Sequence, residues 1–169
     1  MDRGKMLRRA RRLLLDAALI LAVYAGVSVW QTRDLLPAGK GLPAPVFDLP
    51  DLEGAVHRLG AGGRPTLVYF FAPWCSVCEL TSGNVQELKE ALGDDLRVLA
   101  VGLSYKDKAA VQRFAGEHEL TVPVLLGHEQ VSAAYQISAF PTFYYLDSAG
   151  RIVNHLVGYT SRPGLQLRL

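Results

Sequence analysis

Two cysteines, Cys75 and Cys78, are the only thiols in this 169-residue chain, and they stand three residues apart in the stretch FFAPWCSVCELT. Such a pair can serve as a structural staple, a metal clip or a redox couple. As a staple it is weak: closing a four-residue loop stabilises by about 2 kcal/mol, against ~4.7 kcal/mol for a hundred-residue loop. A chain long enough to bury its own core has little need of it. As a structural zinc site it is short of ligands, because four are required and His57, His118, His128 and His155 are nowhere paired at short spacing. Two thiolates alone suit a soft ion such as Cu(I), so a copper-handling protein stands as the alternative reading. No other metal or organic cofactor is called for.

The redox reading uses everything the spacing offers. Residues i and i+3 on a first helical turn are close enough to bond, and a small strained loop is readily reduced. Placed at a helix N-terminus, Cys75 faces unpaired N–H groups and the positive end of the dipole, which favour a thiolate nucleophile. Cys78, one turn further in, is the resolving thiol. Glu79 beside it adds negative charge, which disfavours a second thiolate there.

The elements around the pair follow from periodicity. PTLVYFF (65–71) is an uninterrupted apolar run with β-rich composition, the mark of a central buried strand. From Ser76 to about Leu92 the pattern is helical, with Leu80, Val85, Leu88 and Leu92 assigned to the inner face and Gly93 at the end. LRVLAVGLS predicts a second buried strand, and DKAAVQRFAGEHEL a helix capped by Asp107 with Val111 and Phe114 inward. VPVLL is a short strand and EQVSAAYQI a short helix. TFYYL and RIVNHLVGY flank the turn signal D-S-A-G, with Gly150 suited to a positive φ. SRPGLQLRL begins a last helix. Upstream, VFDLPDLEGAVHRL reads as a hairpin around E-G. Strands alternating with helices and a closing hairpin predict an α/β fold. It is a central mixed sheet flanked by helices, with an N-terminal hairpin, and the strand–helix–strand crossover makes its first two strands parallel.

Charge and hydropathy divide the chain into 1–12, 13–30, 31–45 and 46–169. The first twelve residues carry six basic side chains and one acid, whereas residues 31–169 carry twelve basic and fourteen acidic ones. A nucleic-acid reader concentrates positive charge on the domain that reads, so nucleic acid is not an expected partner. Residues 13–30, LLLDAALILAVYAGVSVW, hold a single charge, Asp16. As a helix they span roughly 27 Å, close to the ~30 Å of a hydrocarbon core, with Trp30 placed as an interfacial anchor. The basic flank predicts a cytoplasmic N-terminus and export of everything after Trp30. A cleaved signal peptide, with V-Y-A at 23–25, is the rival; its h-region is usually shorter than this run. Either way the domain is exported, and Met1 and Met6 are left behind as copper ligands. Residues 31–45 are rich in proline and glycine and read as an extended linker.

WCSVC after an apolar strand, together with FPT at 140–142, resembles the thioredoxin superfamily. The apolar anchor, the APVFDLPDLEG hairpin and the 66-residue step from Cys75 to Pro141 resemble its membrane-anchored TlpA/ResA/DsbE branch. QTRDLL, APWCSVC and GYTSRPGLQLRL are most similar to ScsD-type protein disulfide oxidoreductases. The resemblance, over residues 42–169, implies a thioredoxin-like fold and disulfide exchange through a Cys75–Cys78 redox disulfide. It implies a cis Phe140–Pro141 bond against Cys75, with Phe140, Pro141 and Thr142 holding the substrate backbone and Trp74 shielding the thiols. A plain core role for Trp74 is the simpler alternative. The expected partners are a periplasmic protein bearing thiols or a disulfide and, for the reductase direction the branch implies, a membrane electron donor of the DsbD/ScsB type. The expected location is a bacterial inner membrane with the catalytic domain in the periplasm. Two positions depart from the pattern: Tyr69 stands where thioredoxin has a buried Asp, and Thr81 where the ResA/DsbE group has a Glu. The proton acceptor for Cys78 is therefore not identified by the resemblance.

Overall fold

The computed structural model describes residues 11–12, 14–23, 26–27, 35–39 and 41–168. Residues 1–34 and 35–169 form separate compact units. In the first, residues 14–23 and 26–27 are helical with exposed side chains. Residues 13, 24–25 and 28–30 of the expected anchor lie outside the described residues, and among those described no helix is long and apolar enough to cross a membrane.

In the second unit, β1 (Phe47–Pro50) and β2 (Val56–Leu59) form an antiparallel hairpin. β3 (Thr66–Phe71), β4 (Arg97–Gly102), β5 (Val124–Leu126), β6 (Thr142–Leu146) and β7 (Ile152–Val157) make one sheet in the order β5-β4-β3-β6-β7. The β3/β4 and β4/β5 pairs are parallel, and β6 and β7 run antiparallel. Four helices complete the unit: α1 (Ser76–Leu92), α2 (Lys108–Glu117), α3 (Glu129–Ala134) and α4 (Arg162–Gln166).

Every residue of β3 is buried because both faces of the sheet are covered. Leu67, Tyr69 and Phe71 point to one face, where they meet Val85 and Leu88 of α1, Val111 and Phe114 of α2 and Leu165 of α4. Val68 and Phe70 point to the other, toward Leu49 and Leu59 of the hairpin and Val131 and Tyr135 at α3. Two crossovers in one direction, β3–α1–β4 and β4–α2–β5, put α1 and α2 on the same face, as right-handed connections require. Asp107 caps α2 by accepting from the Ala110 N–H at 2.8 Å.

Two details differ from the sequence reading. Leu80 is 71% exposed, and the inner face of α1 begins instead with Cys78, Thr81 and Ser82. At 100° per residue Leu80 lies about 200° from Cys78, so the face chosen by the sulfur excludes it. Of the segment read as linker, residues 31–34 and 40 lie outside the described residues, and the others are tied to the domain at several points. Leu35 and Ala44 are buried, the Ala44 N–H donates to the Gly150 carbonyl at 2.9 Å, and the Ile152 N–H donates to the Leu42 carbonyl at 2.9 Å. The Leu36 N–H donates to Tyr144 Oη at 3.1 Å, and that hydroxyl donates to the Tyr135 carbonyl at 2.8 Å. Tyr144→Phe therefore leaves two backbone groups without partners, a loss of about 1–3 kcal/mol. The expected signature is faster hydrogen exchange at residues 35–38 with core-strand protection falling only by the global change.

Asp51 holds the hairpin turn. Its Oδ1 accepts from the Glu53 and Ala55 N–H groups at 3.0 and 2.8 Å, and its Oδ2 lies 2.6 Å from His57 Nε2. The His57 hydrogen bond, with those two N–H groups, draws the carboxyl below its ordinary value against the opposing effect of burial. Next to it the Leu52 N–H donates to the Val124 carbonyl at 3.1 Å, fastening the hairpin to edge strand β5.

Candidate active site

The end of β3 delivers the chain to the thiols. Cys75 is the N-cap of α1, in extended conformation, and its sulfur accepts from the Cys78 N–H at 3.3 Å. Its carbonyl accepts from the N–H groups of Cys78 and Glu79 at 2.9 and 3.1 Å. Here the capping atom is a sulfur, so a backbone N–H and the positive end of the helix dipole both face it. Both cysteines are present as free thiols.

The two thiols have different surroundings. Cys75 lies at the rim and Cys78 is fully enclosed. Burial, and then the hydrogen bond with Cys75, push the Cys78 thiol far above its ordinary value. Glu79, credited from sequence with disfavouring a second thiolate, is exposed and has no part in that shift.

Tyr69, at the position where thioredoxin has an acid, packs in parallel on Phe71 and Phe143 and donates to the Cys78 carbonyl at 3.0 Å. Burial raises its phenol well above the ordinary range, so it stays protonated. The Thr81 hydroxyl turns back to its own helix, to the Val77 carbonyl at 2.6 Å. Neither residue is a base for Cys78: one cannot ionise near neutral pH, and the other is an alcohol already donating.

Opposite Cys75 is the loop before β6. The Phe140–Pro141 peptide bond is cis, and the Cys75 thiol donates to the Phe140 carbonyl at a long 3.7 Å. The Pro141 carbonyl accepts from Gly158 N–H at 2.8 Å, and the Thr142 hydroxyl donates to the Ala139 carbonyl at 2.8 Å. Thr142 is thus a buried support of the loop, while Phe140 stays half-buried at the surface. Trp74 is 66% exposed, which rules out a core role. Its indole N–H donates to the Ser104 carbonyl at 2.8 Å, and its ring meets Phe140 edge-on at 5.9 Å. Ser104 has φ 51, a left-handed conformation that sequence reasoning did not signal. Trp74, Cys75 and Phe140 therefore come together at one surface, although 65 residues separate the thiol from the carbonyl it meets.

The AhpC/TSA family model matches residues 41–155. The chain belongs to the AhpC/TSA family. Within that family its relatives are thioredoxin-like proteins of the TlpA/ResA/DsbE branch. It is 31% identical to the thioredoxin-like protein YneN of Bacillus subtilis, over 89% of this chain and 92% of that one. It is 30% identical to the thiol-disulfide oxidoreductase ResA of Geobacillus thermodenitrificans, over 97% and 93%. The crystal structure of StoA from Bacillus subtilis superposes with a TM-score of 0.66 at 25% identity, covering 76% of this chain and 98% of StoA. The chain is a thiol–disulfide oxidoreductase of this AhpC/TSA branch, with the thioredoxin-like mixed sheet that the motifs implied.

Proposed function

We propose that this oxidoreductase is an anchored, exported protein in which Cys75 attacks a disulfide of a partner polypeptide and Cys78 resolves the adduct. The observation that carries the reading is the setting of Cys75 Sγ, 3.3 Å from a backbone N–H at a helix start and 3.7 Å from the Phe140 carbonyl. In the first step the Cys75 thiolate displaces one substrate sulfur and forms a mixed disulfide. In the second Cys78 attacks Cys75 Sγ, its proton passing to the substrate thiolate left by the first step, and releases the other substrate sulfur. The substrate gains two electrons and the protein is left with a Cys75–Cys78 disulfide. Trp74, Phe140, Pro141 and Thr142 form the substrate cradle; the Phe140 N–H, which has no acceptor among the described residues, is free to pair with an extended chain.

The apolar run 13–30 and its basic flank support an inner-membrane anchor with the domain on the periplasmic side. We take the direction to be reducing, as the motifs' resemblance to the TlpA/ResA/DsbE branch implies, with a membrane electron donor of the DsbD/ScsB type resetting the dithiol. Equilibration of the full chain with glutathione tests the direction. A potential more negative than about −200 mV is expected, whereas one near −120 mV, the range of strong periplasmic oxidants, overturns it.

A further inference from the structure

Far from the thiols, a cleft of about 700 Å³ opens beside the first residues of β3 and β4, lined by His57, Arg64, Lys89, Asp94 and Arg97 among others. Each of its three cations donates to a backbone carbonyl, and a single acid, Asp94, stands beside two of them. Arg64 Nη1 donates to the Asp94 carbonyl at 3.1 Å, Lys89 Nζ to the Gly93 carbonyl, and Arg97 Nη1 to the Arg58 carbonyl at 3.3 Å. The one acid in the lining, Asp94, has a side chain 97% exposed to water, and its Oδ1 stands 3.9 Å from Arg64 and 3.7 Å from Lys89. Screened pairs at that range contribute little. His57 is committed to Asp51 at 2.6 Å. Arg97 is partly buried, and burial and the nearby charge of Arg64 both press its guanidinium below the ordinary value. The cleft thus gathers an excess of two positive charges on a domain whose residues 31–169 are slightly acidic.

We propose that this cleft binds a phosphomonoester. An anion lying between Arg64 and Arg97 relieves the repulsion between them and takes bidentate hydrogen bonds from a planar guanidinium. The charge selects the class. A phosphomonoester carries about −1.5 to −2 at neutral pH, which matches the excess, whereas a carboxylate or phosphodiester carries only half of it. The register pairs Thr66 with Arg97 at one end of the β3/β4 ladder and Phe71 with Gly102 at the other. Five steps put the cleft about 16 Å from the end that leads to Cys75, so an occupant leaves the thiols uncovered.

The test is calorimetric titration of the full chain in neutral detergent with glycerol 3-phosphate, a phosphomonoester, at low salt. Saturable binding is expected, weakened about tenfold in Arg64→Gln or Arg97→Gln and further in the double variant, by an amount that need not be the product of the two because the cations share one ligand. Reduction of a small disulfide and the melting temperature should stay at wild-type values in all three. Wild-type binding no tighter than that of the double variant overturns the site. So does equal binding of a glutamate-rich peptide of matched charge, or of short-chain phosphatidylglycerol as tightly as short-chain phosphatidic acid. Within the proposal, phosphatidic acid binding at least tenfold tighter than glycerol 3-phosphate assigns the phosphate to a lipid headgroup; the reverse order assigns it to a soluble molecule.

Discussion

Cys75→Ser is expected to lower disulfide exchange with a protein substrate by on the order of 10³ or more, with little change in stability. Removing an essential nucleophile commonly costs this much or more, and serine keeps a small polar cap that can still accept from the Cys78 N–H. Cys78→Ser has a different signature. Cys75 still attacks, but nothing resolves the adduct, so mixed disulfides through Cys75 accumulate and turnover stops after the first step. The two variants together separate nucleophile from resolver: adducts with Cys78→Ser and none with Cys75→Ser. Adducts formed equally well through Cys78 would overturn the assignment. Mild alkylation of the reduced wild type at pH 7–8 is expected to label Cys75 first. Cys78 is fully buried and its thiol is held far above its ordinary value by that burial, so it contributes almost no thiolate at that pH. Labelling of Cys78 before Cys75, read by mass spectrometry of the peptides, would contradict the inequality of the two sites.

Gly60→Ala is expected to be strongly destabilising, costing more than about 3 kcal/mol and lowering the melting temperature by roughly 10 °C or more. Two effects combine. Gly60 has φ +77, in the left-handed region, which strains any residue with a Cβ. A Cβ there would also stand 2.2 Å from the Pro45 carbonyl oxygen and 3.0 Å from Tyr135 Oη. The Pro45 oxygen is backbone and already accepts a 2.7 Å hydrogen bond from the Tyr135 hydroxyl, so it moves only by breaking that bond and the packing beside it. Gly54→Ala is the control. Gly54 has φ +94, but a methyl group there would meet nothing within 4 Å, so it incurs the backbone strain alone, about 1–2 kcal/mol. Equal losses for the two variants, measured by thermal and denaturant unfolding, would show that the close approach at Gly60 contributes nothing.

What could be read from the chain alone was governed by neighbours along it. The buried strand at 66–71, the helix from Ser76 to Leu92 and the Asp107 cap rest on spacings of two to four residues, which recur wherever such an element forms. The pairing of thiols at a helix start is equally local, and so the chemistry was legible. Leu80 is the local misjudgement: its apolar type suggested an inner position, but the face of α1 is set by which side meets the sheet, and Cys78 takes that side.

The remainder depended on contacts between residues far apart in the chain. Trp74 meets Ser104, Leu36 meets Tyr144 108 positions later, and Tyr69 reaches the Cys78 carbonyl. The convergence of Arg64, Lys89 and Arg97 on one cleft is of the same kind. No periodic pattern encodes these meetings, because they follow from the path of the chain once the sheet has closed. The elements, the thiol pair and the class of reaction were readable from the residues alone, since each rests on short-range geometry and on residue chemistry. Which sulfur is enclosed, which aromatic stays exposed beside the thiols and where positive charge collects follow from burial and charge proximity, which are properties of the assembled chain.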